Sequence, residues 1–168
     1  VIPLLERQLT WGRMLRSWGV VYLANVLGAG LVAALTVAAG TFDGVYESVV
    51  ATAAAKAGLP FLTALLRGVL CNFLVCIGVF AGFRLQSETA KALVIALAIT
   101  TFVLTGLEHS IANMAYFALH ALLNGGADWA AMGWNLLWVT LGNLLGGAVL
   151  LGLPLWYAAE PEKTQSFS

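Results

Sequence analysis

Charge is the scarcest property of this sequence. Only 10% of its 168 residues are Asp, Glu, Lys or Arg, where a soluble domain carries roughly 25%. Eight basic residues balance eight acidic ones, so the sequence offers no basic stripe of the kind that tracks a nucleic-acid backbone. Cysteine is almost absent. Cys71 and Cys76 lie within one apolar run, which excludes a disulfide framework and a zinc knuckle and reads as two buried thiols. Catalytic punctuation is missing as well: there is no His-Glu-x-x-His, no Gly-x-Ser-x-Gly and no glycine-rich phosphate loop ending in Lys. Residues 1–17 hold Arg7, Arg13 and Arg16 but no small-residue cleavage site behind a short apolar core, so they are not a signal peptide. They read as a cytoplasmic lead-in to a first span.

What is present is hydrophobicity, 61% of the chain, gathered in four runs: Trp18 to Ala39, Phe61 to Phe83, Ala92 to Leu123, and Met132 to Ala158. A span of the hydrocarbon takes about 20 apolar residues. The first two runs fit, and the fourth fits with tilt. The third does not: as a straight helix its roughly 32 residues reach about 48 Å against a core of about 30 Å. The excess surrounds a polar cluster of Glu108, His109, Ser110 and Asn113, preceded by Thr105 and Gly106. This predicts a helix broken around residues 105–110. Such a break survives in a membrane only against protein or a water-lined cavity.

The fold class is therefore an all-α polytopic membrane protein with four spanning segments, one of them broken. Residues 40–58, 84–91 and 124–130 read as links, and 159–168 as a polar cytoplasmic tail. The whole chain reads as one transmembrane domain. With four crossings, Arg7, Arg13, Arg16, Arg84, Lys91 and Lys163 fall on one side, and Lys56 and Arg67 on the other. The excess of basic residues puts both ends of this segment in the cytoplasm. Residues Leu23 to Gly28 (LANVLG) resemble Leu141 to Gly146 (LGNLLG). The two segments cross in opposite directions, as the halves of an inverted repeat do.

Ionisable groups at mid-membrane are functional candidates by default. For Glu108 the competing reading is structural: a carboxylate that ties down the backbone N–H groups freed by the break. His109 both donates and accepts, and its charge switches near neutral pH, so it is read as lining a pathway. Helical spacing projects a face from it through Asn113, Phe117 and His120, and back through Thr105 and Phe102. Asn72 is too costly to face lipid and must meet protein or water. Lys56 is either a solvated loop charge or an anion-attracting charge at a pore mouth. Gly142 and Gly146, and Gly28 and Gly30 in the first run, are the small residues that let helices approach closely.

Three blocks taken together, Arg67 to Cys76 (RGVLCNFLVC), Gly106 to Met114 (GLEHSIANM) and Asn135 to Asn143 (NLLWVTLGN), resemble the formate/nitrite transporter family. The resemblance implies an aquaporin-like protomer of six spans in an inverted repeat, assembled as a homopentamer in the plasma (inner) membrane. It implies a pore in each protomer for small monovalent anions, and no cofactor or metal. Trp138 resembles the nitrite branch, while Leu107 and Phe73 depart from it. Nitrite is the first expectation, with formate or hydrosulfide as alternatives. The family's pore histidine falls on His109, its structural glutamate on Glu108, its buried asparagines on Asn72 and Asn113, its outer basic residue on Lys56, and its constrictions on Val75 and Phe102. Two spans, one of them a second broken helix, have no counterpart here, and the sequence is read as N-terminally truncated. The rivals from other classes are an intramembrane enzyme using Glu108 and His109, and a non-conducting scaffold subunit.

Overall fold

A computed structural model describes residues 2–165. The final part of the predicted tail, 166–168, lies outside the described residues. A short helix α1 (Ile2–Leu5) precedes α2 (Trp11–Ala38), capped by the Thr10 hydroxyl, which accepts from the Arg13 N–H. Thus the helix of the first run begins inside the stretch read as a lead-in. Then follow α3 (Tyr46–Ala57), α4 (Phe61–Arg84), α5 (Glu88–Leu104), α6 (Ser110–Leu123) and α7 (Trp129–Leu144). The last helix continues through a π-helical stretch (Leu145–Gly152) into α8 (Leu153–Gln165). Among the described residues three continuous helices are long and apolar enough to cross a membrane: Trp11–Ala38, Phe61–Arg84 and Trp129–Ala159. The fourth crossing is the broken pair α5 and α6. At 17 and 14 residues they reach only about 26 Å and 21 Å, each short of the hydrocarbon thickness.

Residues 40–58 are not simply a link. Alanine, the best helix former, supplies five of the last nine residues of α3 (VVATAAAKA). It lies antiparallel to α6, with Val50 opposite His120 and Ala53 against Phe117. It also lies along α7, with Ala53 packed with Met132 and the Lys56 carbonyl accepting from Asn135 Nδ2 at 2.7 Å. Further along α7 its place is taken by α4. Phe61 meets Trp138 at 5.3 Å between ring centroids. Beyond it, Gly142 lies on Leu65 and Gly68, and Gly146 on Val69. So α3 and α4 follow one another in the same direction along one long helix.

The α4–α7 seam is built from backbone. A Cβ at Gly142 would strike the Leu65 carbonyl oxygen, and one at Gly146 the Val69 carbonyl. The buried positions of α7, Met132, Asn135, Val139, Gly142 and Asn143, fall at three- and four-residue spacing, as a packed helix face does. The predicted close approach therefore holds for Gly142 and Gly146. It does not hold for Gly28 and Gly30, where an added Cβ would meet nothing within 4 Å. They stand on α2, which packs on α6 but leaves Leu23, Leu27, Leu31 and Leu35 more than half exposed.

Candidate functional site

The break is made by a glycine. At the end of α5, Gly106 takes φ +67°, the left-handed conformation that glycine adopts without steric cost. The N–H of Gly106 reaches the Val103 carbonyl, and that of Leu107 the Phe102 carbonyl, which is the Schellman ending of a helix. The chain then runs extended through His109 (φ −113°, ψ 120°) and restarts as α6 at Ser110.

Four helices hold what the break exposes. The Glu108 N–H donates to the Arg67 carbonyl of α4 at 3.4 Å. Asn143 of α7 accepts from the Ser110 N–H at 2.9 Å, and donates to the carbonyls of Gly68 at 2.9 Å and Glu108 at 3.0 Å. The freed backbone is thus held by an asparagine and a carbonyl. This corrects the expectation that the Glu108 carboxylate would do it. That carboxylate accepts from Lys56 Nζ of α3 at 2.8 Å and from Asn113 Nδ2 at 2.6 Å. Asn113 Nδ2 also donates to Asn135 Oδ1 at 2.9 Å. Glu108 is 1% exposed and Asn113 not at all. A buried carboxylate needs this matching of charge and hydrogen bonds to persist.

The site residues named from sequence divide into groups. Lys56, Glu108 and Asn113 form one ion-paired cluster, with Lys56 also 5.5 Å above the Tyr116 ring. The Lys56 charge is thereby matched inside the protein. Phe102 and His109 form a second group, stacked with centroids 5.8 Å apart and 26° between planes. His109 is half-buried, and among the described residues nothing hydrogen-bonds its ring. Among the described residues Asn72 joins the first cluster through Asn143, whose backbone carbonyl it donates to at 2.6 Å. Val75 stands half-buried on α4, one turn beyond Asn72.

The face projected from His109 through Asn113, Phe117 and His120 is the packing face of α6. Phe117 fills the contact with Ala53 and Met132, and His120 Nδ1 lies 3.3 Å from the Val50 carbonyl. Cys71 is buried as expected, but Cys76 is half-buried and lines a cavity of about 560 Å³ with Asn72, Phe80 and the π-helical Gly147. Asn135 and Asn143 were not among the expected site residues. The available signal was their type and place, since an amide within an apolar span must find partners. Among the described residues no three His, Cys, Asp or Glu side chains gather as a metal site would require.

A multi-pass membrane protein, with one crossing broken beside a buried ion pair, is the class these elements define. The chain belongs to the formate/nitrite transporter family, whose model, described as formate/nitrite transporter, matches residues 1–157. It is 40% identical over 152 residues to the nitrite transporter NirC of Escherichia coli K12, covering 88% of this chain and 55% of that one. It is 32% identical over 179 residues to the formate channel FocA of the same organism, covering 93% and 63%. A solved FNT family ion channel aligns with a TM-score of 0.83 and 37% identity, covering 91% and 63%. A pentameric formate channel with formate bound gives 0.78 and 29%, covering 88% and 67%. All four carry the names of transporters or channels, and the chain spans little more than half the length of NirC.

Proposed function

We propose that this chain forms the larger part of a pore for small monovalent anions, nitrite first, and that the protein is a transporter rather than an enzyme. The observation that carries the reading is His109. Its ring is half-buried beside Phe102, without a hydrogen-bond partner among the described residues, and sits at a helix break whose flanking peptide groups are hydrogen-bonded on both sides. A histidine so placed can donate a hydrogen bond or a proton to a partly dehydrated anion. A weak-acid anion made neutral crosses an apolar constriction at much lower solvation cost. Two features favour an anion. The Glu108 charge is matched by Lys56 at 2.8 Å, which offsets its repulsion. The N-terminal, positive end of α6 also opens on the break.

Within this reading Phe102 and Val75 are apolar constrictions, and Arg67, exposed on α4, raises the local anion concentration. Lys56, Glu108 and Asn113 support His109 from behind, and Asn72 borders the path. Nitrite ranks above formate because the identity to the nitrite transporter, 40%, exceeds that to the formate channel, 32%. A homopentamer is the assembly, by likeness to the pentameric formate channel. The basic residues orient both ends of this segment to the cytoplasm.

The test is nitrite and formate flux into liposomes holding the full-length protein, parent against His109→Asn, across pH 5 to 8. The variant is expected to lose most flux and to flatten the pH dependence. Parental rate and pH profile would remove His109 from the path. No flux from the parent, with correct assembly, would favour a scaffold subunit.

A further inference from the structure

The amide of Asn143 brackets His109. Its Oδ1 accepts from the N–H of the residue after the histidine, Ser110, at 2.9 Å. Its Nδ2 donates to the carbonyl of the residue before it, Glu108, at 3.0 Å, and to Gly68 of α4 at 2.9 Å. The orientation is fixed, because turning the amide over would set its oxygen against two carbonyls and its N–H₂ against an N–H. Asn143 is buried and reaches the break from 33 residues away. The two peptide groups flanking His109 are therefore tied to one side chain, and that side chain to α4.

We propose that Asn143 is a positioning residue for His109. It fixes the extended backbone at 109, and so the direction in which the ring leaves the break. Asn72 extends the support, since its donation to the Asn143 carbonyl at 2.6 Å ties α7 to α4 at the same residue. The Glu108–Lys56 pair acts differently: it anchors the side chain of residue 108, whereas Asn143 sets the backbone on both sides of 109. Beside it, Gly68 and Gly142 leave no room for a side chain, so α4 and α7 approach closely enough for one short amide to reach all three groups. The inference rests on the reading of His109 as a pathway residue.

Two substitutions test it in the full-length protein. Asn143→Asp keeps the size and the acceptor for Ser110, but turns an oxygen toward the Gly68 and Glu108 carbonyls. Ser110→Pro deletes the bracketing N–H together with the serine hydroxyl, and its ring crowds Asn143 Oδ1. Ser110 is the first residue of α6, where proline is tolerated, and His109 already has the extended backbone that precedes proline. Flux is expected to fall at least about tenfold in Asn143→Asp and roughly threefold in Ser110→Pro, in line with the cost of a small misplacement of a reacting group. Elution on size exclusion should be unchanged, and the pH profile of each should move toward that of His109→Asn. The double variant Asn143→Asp with His109→Asn should lose no more than His109→Asn alone, since coupled groups are non-additive.

Parental flux and pH profile in Asn143→Asp, or losses that multiply in the double variant, would overturn the proposal. If Asn143→Asp does not assemble, Ser110→Pro decides, and parental behaviour there overturns it. Parental transport by His109→Asn would instead sink the pathway reading. Altered transport by His109→Asn alongside parental transport by Asn143→Asp would sink the positioning role alone.

Discussion

Replacing Lys56 by Met removes the cation from a carboxylate that has almost no access to solvent. The side chains of Lys56 and Glu108 are 17% and 2% exposed, and their charged atoms are 2.8 Å apart. At an effective dielectric near 20, two unit charges at that distance attract by about 6 kcal/mol. Desolvation offsets part of this, and breaking a buried pair from one side typically costs about 3–5 kcal/mol. The two sides are unequal. In Lys56→Met the carboxylate stays buried with only Asn113 to serve it. In Glu108→Gln the leftover ammonium keeps a route to water along its flexible stem, and the new amide still accepts from Asn113. Lys56→Met is therefore expected to lose about 3–5 kcal/mol and Glu108→Gln about half of that. Combining them should restore part of the loss, because no buried charge is left alone. Denaturant titration of the detergent-solubilised protein, read by tryptophan fluorescence, measures all three. Equal losses in the two single variants, or a double variant no more stable than Lys56→Met, would refute the reasoning.

Three further outcomes follow from packing. Gly142→Ala forces a methyl against the Leu65 carbonyl and should cost about 1–3 kcal/mol as overpacking. Gly133→Ala on the same helix meets nothing within 4 Å and should stay within about 0.5 kcal/mol of the parent. Thermal melts in detergent compare them. A small methanethiosulfonate reagent should label Cys76, which lines the cavity, and leave Cys71, which is fully buried, as read by mass spectrometry of the peptide that carries both. Phe117→Ala empties the contact with Ala53 and Met132 and should cost about 3–5 kcal/mol. It should also raise hydrogen exchange selectively in Tyr46–Ala57.

The four spans and the break were legible in the sequence because both are statements about length and polarity. A run too long for the hydrocarbon, with Glu108 and His109 at its centre and Gly106 before them, leaves few other arrangements. Helix α3 was not legible. Its alanines are helix formers of low hydrophobicity, and Asp43, Glu47 and Lys56 gave the stretch the look of a solvated loop. What buries it is the facing surface of α6 and α7, which no local pattern reveals. The same holds for partners. The resemblance marked Lys56, Glu108 and Asn113 as site residues, but not that the first two neutralise each other across 52 positions. The face drawn through Phe117 and His120 followed helical spacing correctly and met packed helices, because spacing says which residues share a side and not what lies opposite. Asn143 ends the block Asn135 to Asn143 that carries the family resemblance, yet its role depends on the 33-residue contact with Ser110.

The seam between α4 and α7 has a mechanical consequence. Helices separated by a layer of side chains can slide as rotamers readjust. Gly68, Gly142 and Gly146 put backbone directly on backbone, and a shift of less than a full turn drives α-carbons into carbonyl oxygens. Along this stretch the two helices are expected to behave as one rigid body, a keel for the break beside it. Because Asn143 stands on that seam, the peptide groups around His109 are tied to it by side-chain hydrogen bonds.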